Sequence, residues 1–275
     1  MTRTLLAYQD LLRLGVFAGV LATMLVWEAV APRRARSATR LRRWPGNFGA
    51  AVTGALLLRV VFPVTAVAWA GALEARGTGL IPALGAPAWF AVPFAIVALD
   101  LAIWAQHVVF HRVPFLWRLH RMHHADTDLD ATSGARFHPI EIGLSMAIKF
   151  AVIAALGAPA AAVLVFEVLL NACATFNHAN AFLPPRADSR LRAFVVTPDM
   201  HRIHHSWRRD ETDSNFGFCL PWWDRLFGTY RAAPADGQVG MTIGLAEFRD
   251  PAEARLDRML TQPFRDTAGQ AASAP

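Results

Sequence analysis

Cysteine is almost missing from this 275-residue chain. Its two examples, Cys173 and Cys219, stand far apart without a CxxC pattern, which excludes a disulfide framework and a thiolate zinc site. Charge is scarce as well: 17% of residues are Asp, Glu, Lys or Arg, 54% are hydrophobic, and the mean hydropathy is +0.30. A soluble domain of this size carries more polar surface, so a bilayer is the expected solvent. The net charge of +6 comes largely from arginines that sit beside hydrophobic segments, which fits lipid headgroups and not nucleic acid. Against this background histidine stands out. All ten lie between His107 and His205, and eight of them fall into three tight clusters.

Hydrophobic segments at about 14–31, 48–73 and 86–106 are each near the roughly 20 residues that cross a bilayer as helix. The run from Ile140 to Phe176 is broken at Gly157-Ala158-Pro159 and reads as a helical hairpin that crosses and returns. The expected fold is therefore all-α: an integral-membrane helical bundle of about four to five membrane segments with a cytosolic helical cap. The first segment could pass for a secretory signal. Arg33, Arg34, Arg36, Arg40, Arg42 and Arg43 follow it, however, and only Arg3 and Arg13 precede it, which reads as a retained anchor. The same arginines place the first connection in the cytoplasm and the loop Glu74–Gly85 outside, so one orientation gathers every histidine on the cytoplasmic face. A single domain is expected over 1–275, with N-terminal membrane helices 1–94, a core at 95–232 and a tail at 233–275. Within the tail, 250–260 reads as a short surface helix and 267–275 as disordered.

His107 and His111 are one turn apart on one helix face, and His120, His123 and His124 in HRMHH share the i, i+3, i+4 spacing with His201, His204 and His205 in HRIHH. Each triplet is expected to present three nitrogens on one stripe. Three such groups on one side would repel one another if protonated, and a shared cation is the simplest compensation. Eight donors exceed what one catalytic zinc uses, whereas two octahedral ions with open positions use eight to ten. Imidazole suits Zn, Cu, Fe and Ni alike, so ligand type does not choose the element. His138 in RFHP and His178 in NHAN are single histidines at membrane-face junctions and are also candidate metal ligands. Asp100 lies two turns deeper than His107, too far for a direct bond, and is a candidate to orient another ligand histidine. Glu141, Asp199 and Asp224 are weaker candidates for that role. Arg121 and Arg202, inside the triplets, are expected to turn away toward headgroups, and Trp89, Trp104, Trp117, Trp222 and Trp223 to form an aromatic belt.

The segments HVVFH, HRMHHADTDLDATSGARFHPIE, NHAN, TPDMHRIHHS and NFGFCLPWWDRLFGTY together closely resemble the fatty acid hydroxylase and sterol desaturase superfamily, in the expected order from about Asp100 to Tyr230. The resemblance assigns His107 and His111 to an HxxxH box, His120, His123 and His124 to the first HxxHH box, and His201, His204 and His205 to the second. His138 and His178 match additional histidines found in such proteins. It implies a centre of two Fe ions, with Zn a possible substitute in purified protein. It also implies O2 as co-substrate, and hydroxylation or desaturation at an unactivated C–H bond of a fatty acyl, sterol or other isoprenoid lipid. No cytochrome b5-like domain accompanies these motifs, so electrons are expected from a separate reductase, ferredoxin or cytochrome b5-like donor.

Two other readings have distinct signatures. A haem-binding membrane redox protein needs single opposed histidines on facing helices, which triplets do not supply. A metal transporter or sensor needs polar ligands along a path through the bilayer, and here only Arg59, Asp100 and Glu167 approach the midplane.

Overall fold

The computed structural model describes Leu6 and residues 8–266, so the reading of 267–275 as disordered lies outside the described residues. The described residues form helices and loops, with two isolated bridges, Pro32 to Ala181 and Ser206 to Ile243, and no strand. Five segments are long and apolar enough to cross a membrane: Gln9–Val30, Arg40–Ala83, Ala88–Arg112, Pro139–Leu156 and Ala160–Asn177. These match the five segments expected from the hydropathy, with ends shifted by up to ten residues, most in the second.

Helix α1 is Gln9–Val30 and α2 is Arg40–Val61. Pro63, which cannot donate to the helical ladder, stops α2, and Thr65 then accepts from Ala68 N at 3.1 Å to start α3, Ala66–Ala75. The second segment thus crosses as two helices. Helix α4, Ala88–Arg112, returns to the histidine face and turns at Val113 into α5, Pro114–His124, whose proline occupies the first helical turn. Helices α6, Pro139–Leu156, and α7, Ala160–Asn177, form the expected hairpin. Its tip needs glycine. Gly157 ends α6 in the left-handed region at φ 64°, and Gly79 packs so tightly on it that a Cβ there would lie 2.2 Å from the Gly157 nitrogen. Glu74 reaches across to accept from Ala160 N at 3.0 Å, a carboxylate at the N-terminus of α7.

Small residues line the core of this bundle. Ala70, Ala95, Ala162, Val163, Ile153 and Phe166 are buried against one another, and alanines let the backbones approach closely. Leu14, Val26, Val60, Leu144, Ile148 and Leu169 point outward and are exposed, the pattern of a surface that meets lipid tails. The short helix α8, Pro198–His204, completes the cap, with Thr197 accepting from Met200 N at its start.

Ion pairs fasten the cap to the membrane helices. Glu28, wholly buried at the end of α1, accepts from Ala131 N at 2.7 Å and Asn180 N at 3.0 Å and pairs with Arg40. Arg43 holds Asp126 through two 2.7 Å bonds and Asp130 through a third, and Asp130 caps the turn Ala131–Ala135. The segment expected as a tail packs back on the bundle: Met259 is buried beside Gly46 of α2, and the surface helix expected at 250–260 appears as a turn at Pro251–Ala254 and a helix at Leu256–Thr261.

Candidate metal centre

Nine of the ten histidines converge in two adjacent groups. His107, His111, His120, His124 and His204 form one, and His123, His178, His201 and His205 the other; within each, the ligand atoms lie within 4.8 Å of one another, and all nine side chains are buried. The triplets do not act as single stripes. In each, the i and i+4 histidines stay together, His120 with His124 and His201 with His205, while the i+3 histidine, His123 or His204, crosses to the other group. At 3.6 residues per turn, i+4 lies about 40° to one side of i and i+3 about 60° to the other, so one helix serves both groups. His107 and His111, spaced i and i+4, obey the same rule.

The surroundings of the rings decide which nitrogen carries the proton. His107 Nδ1 lies 2.7 Å from the Phe216 carbonyl, His204 Nδ1 2.7 Å from Ser214 O, His178 Nδ1 2.7 Å from Ala174 O, and His123 Nδ1 3.2 Å from Arg136 O. His120 Nδ1 faces Glu141 Oε1 at 2.6 Å and His111 Nδ1 faces Asp213 Oδ1 at 3.2 Å. A carbonyl or carboxylate only accepts, so each of these nitrogens donates and each Nε2 turns a lone pair inward. Those lone pairs then face each other: His107 to His120 and to His204 at 3.0 Å, His123 to His178 at 3.1 Å. Apposed lone pairs repel unless a cation sits between them. His205 makes the same point, since both of its buried ring nitrogens lack a hydrogen-bond partner.

The spacing also fits a metal. With metal–nitrogen bonds of about 2.1 Å, neighbouring ligands stand about 3.0 Å apart on an octahedron and about 3.4 Å apart on a tetrahedron. The five close Nε2 pairs span 3.0–3.2 Å, at the octahedral end. Burial, reinforced by neighbouring imidazoles, holds His123, His124, His201 and His205 well below the usual histidine range. Burial likewise brings His178 down to about 4 and His204 to about 3. All six are therefore neutral at ordinary pH, the form in which imidazole binds metal.

His138 joins neither group. Its Nδ1 accepts from Ile140 N at 3.2 Å as the N-cap of α6, and its Nε2 donates to Leu260 O at 3.2 Å. Both nitrogens are engaged, so no lone pair remains for an ion. Asp100 reaches no histidine either. It accepts from Trp223 Nε1 at 2.8 Å and Leu220 N at 3.3 Å, fastening the NFGFCLPWWD loop to α4. The carboxylates that do orient histidines of the two groups are Glu141, ranked as a weaker candidate, and Asp213, which carries no motif signal. Asp224 acts one step further out: it accepts from Phe216 N, Gly217 N and Trp104 Nε1, holding the carbonyl that orients His107.

The arginines and tryptophans also depart from expectation. Arg202 is buried on Asp199 and Gln238, and Arg121 bonds the backbone carbonyl of Gln262 and lies over the Phe248 ring, so neither points to a headgroup. Trp104 and Trp223 serve Asp224 and Asp100, and Trp117 packs on His111, leaving Trp89 and Trp222 as the exposed members of the supposed belt.

A cavity of about 460 Å³ opens from the first group into the bundle between α1, α2, α4, α6 and α7. His107 and His120 line its inner end, and Phe17, Leu58, Phe137, Met146, Leu170 and Phe218 give it an apolar wall. Its size suits one organic ligand.

The family model for fatty acid hydroxylase matches residues 92–229. Among curated proteins the chain is 28% identical over 163 residues to the ornithine lipid hydroxylase OlsE of Rhizobium tropici, covering 58% of this chain and 48% of that one. It is 27% identical to the alkylglycerol monooxygenase of Homo sapiens over 156 residues, 56% of this chain and 34% of the relative. It is also 27% identical to the cholesterol 25-hydroxylase of Rattus norvegicus over 180 residues, 63% and 57%. The matches thus span between about a third and just over half of these relatives' own lengths. No solved structure matches the chain.

Proposed function

The chain belongs to the fatty acid hydroxylase family, and from that footing we propose that it is a membrane-bound di-iron oxygenase that hydroxylates or desaturates an unactivated C–H bond of a lipid. The observation that carries this is the set of inward lone pairs facing one another at 3.0–3.1 Å in the two groups, the first of which closes the inner end of an apolar cavity. His107, His111, His120, His124 and His204 would hold one iron, and His123, His178, His201 and His205 the other. Bound there, the pair would supply the dioxygen and electron chemistry that no amino-acid side chain provides.

What the chain itself does is positioning. The carbonyls of Phe216, Ser214, Ala174 and Arg136 and the carboxylates of Glu141 and Asp213 keep the ring protons on Nδ1 and the ligand lone pairs inward. The apolar wall aligns a lipid chain beside His107 and His120 and keeps bulk water out. The relatives act on an ornithine lipid, an alkylglycerol and cholesterol by their names, so family membership leaves the lipid class open. The arginine-rich connection after α1 lies on the histidine face, which supports a cytoplasmic site by the positive-inside rule, with electrons arriving there from a separate donor protein. Residues 95–232 serve as the core of one membrane-embedded domain.

The test is metal content together with lipid analysis. Protein purified under reducing, iron-replete conditions should hold about two metal ions per chain. Cells expressing it should accumulate a lipid heavier by one oxygen or lighter by two hydrogens, and His123→Ala and His204→Ala should each abolish that product. A metal-free protein of full activity, or either variant at full activity, would overturn the proposal.

A further inference from the structure

The apolar cavity has a charged far end. Arg13 of α1 and Glu167 of α7 form an ion pair there, and Lys149 of α6 donates to the other oxygen of Glu167 at 2.9 Å. All three side chains line the cavity and all three lie within membrane-crossing segments. Lys149 and Glu167 are about one-tenth exposed and Arg13 about one-quarter. Lys149 is also the single lysine of the chain, which otherwise draws its fixed positive charge from arginine. Charges at this depth cost several kcal/mol each on insertion scales, so three of them at the end of a lipid cavity call for a purpose.

Their balance identifies what would meet them. Two cations face one carboxylate, and both Glu167 oxygens are already taken by them. Arg13 Nε is buried with no acceptor, and Lys149 has ammonium protons to spare beyond its one bond. Asp10, on the exposed side of α1 three residues before Arg13, lies outside the cavity lining. Nearer the histidines the one charged lining group, Glu141, is engaged by His120 at 2.6 Å, and the other polar groups are neutral: Asn171, Thr175, and Gln106 bonded to Ser145. The far end is therefore rich in donors and carries one positive charge in excess.

Resting on the lipid-oxygenase reading, we infer that Arg13 and Lys149 bind the carboxylate of a fatty-acid-like substrate, with Glu167 holding the two cations apart in the empty cavity. The geometry sets the reaction position. Lys149 is two turns along α6 from Glu141, the partner of His120, about 12 Å by helical rise, and Glu167 is three turns from His178, about 16 Å. An extended alkyl chain advances about 1.25 Å per C–C bond, so the carbon nearest the histidines lies on the order of ten bonds from the acid group. Oxidation then falls in mid-chain.

A single lysine makes the test direct. Protein carrying 13C-labelled lysine, in nanodiscs and without an electron donor, gives one side-chain resonance. Hexadecanoate should shift it saturably and methyl hexadecanoate should not. In competition binding with radiolabelled hexadecanoate, Lys149→Gln should weaken the acid at least tenfold and leave the ester unchanged, while Lys149→Arg keeps the preference. Glu167→Gln should tighten acid binding several-fold by removing the competing carboxylate, the opposite of what loss of a purely structural ion pair produces. Equal binding of acid and ester, or weaker acid binding in Glu167→Gln, would overturn the inference, as would a sterol that shifts the resonance where hexadecanoate does not. Because no turnover is required, an inactive protein that still prefers the acid would refute the oxygenase reading and leave the anion site standing.

Discussion

The two histidine groups are built from the same helices yet are not equivalent. The five-histidine group opens on the cavity through His107 and His120 and is backed by two carboxylates, Glu141 and Asp213. The four-histidine group lines no part of that cavity. Its backing is neutral, the carbonyls of Ala174 and Arg136, and the Nδ1 atoms of His201 and His205 have no partner, against one such atom, His124 Nδ1, in the first group. A carboxylate behind an imidazole raises its basicity as a ligand, whereas a carbonyl mainly orients it. On the proposed di-iron reading, the first group would hold the tighter ion, facing the cavity, and the second a weaker partner ion behind it.

The largest effect that would break this contrast is loss of a ligand on the cavity side. His120→Ala removes a donor, frees Glu141 as a buried unpaired carboxylate and opens the end of the cavity. Lipid oxidation should vanish, and metal content should fall from about two ions toward one or fewer. If product formation survives, the first group is not the reacting site. A smaller effect sharpens the contrast. Glu141→Gln keeps size and hydrogen bonding but removes the charge, and outer-sphere partners of this kind are typically worth 10–100-fold in metal affinity. Competition with a chelator should show one ion loosened by about that factor and the other unchanged. Asp213→Asn should do less, because its contact is longer at 3.2 Å and its side chain is 37% exposed.

Acid should separate the groups as well. His178 and His204 are held at about 4 and about 3 in the folded protein by burial, below their ordinary 6.5. The unfolded chain therefore binds more protons, so the stability these groups contribute is complete above pH 6.5 and is lost as the pH falls toward 4. His178 alone corresponds to on the order of 3 kcal/mol across that window. Thermal unfolding of the metal-free protein in detergent should drop steeply between pH 6.5 and 4. In the loaded protein the ion of the carbonyl-backed group should leave first, at the higher pH. Simultaneous release of both ions would erase the proposed asymmetry.

Much of this was legible in the residues. Apolar runs near 20 residues and the Gly-Ala-Pro break predicted five segments, because bilayer thickness constrains helix length directly. The motif resemblance picked out all nine convergent histidines, and with them His138, which joins neither group. The way each triplet splits was hidden, since periodicity says that i, i+3 and i+4 share a side but not that two receiving sites flank it. The partners of the rings were less visible still. Four are backbone carbonyls, which leave no mark in a sequence, and Glu141 comes from a different helix than the histidine it orients. Asp100 drew attention by sharing α4 with His107, yet two turns of helix direct it to the Trp223 loop. The return of Met259 and Leu260 onto the bundle was equally silent, being a long-range contact with no local pattern.

His138 supplies the smallest and most discriminating prediction, because it differs from His178 in a property that sequence does not carry. Both are single histidines at a membrane-face junction, and both are buried. His178 spends one nitrogen on Ala174 O and turns the other toward His123 and His201, at 3.1 and 3.2 Å. His138 spends both, one as the cap of α6 and one on Leu260 O. His138→Ala should therefore cost about 1 kcal/mol of stability, the usual scale for a lost N-cap, and leave about two metal ions bound with near-normal activity. His138→Asn, which can still cap, should recover most of that stability. His178→Ala should instead strip the carbonyl-backed group of a quarter of its ligands and lose its ion. If His138→Ala lost metal as His178→Ala does, the ligand shell would extend beyond the two groups, and the octahedral spacing of the nine would no longer describe it.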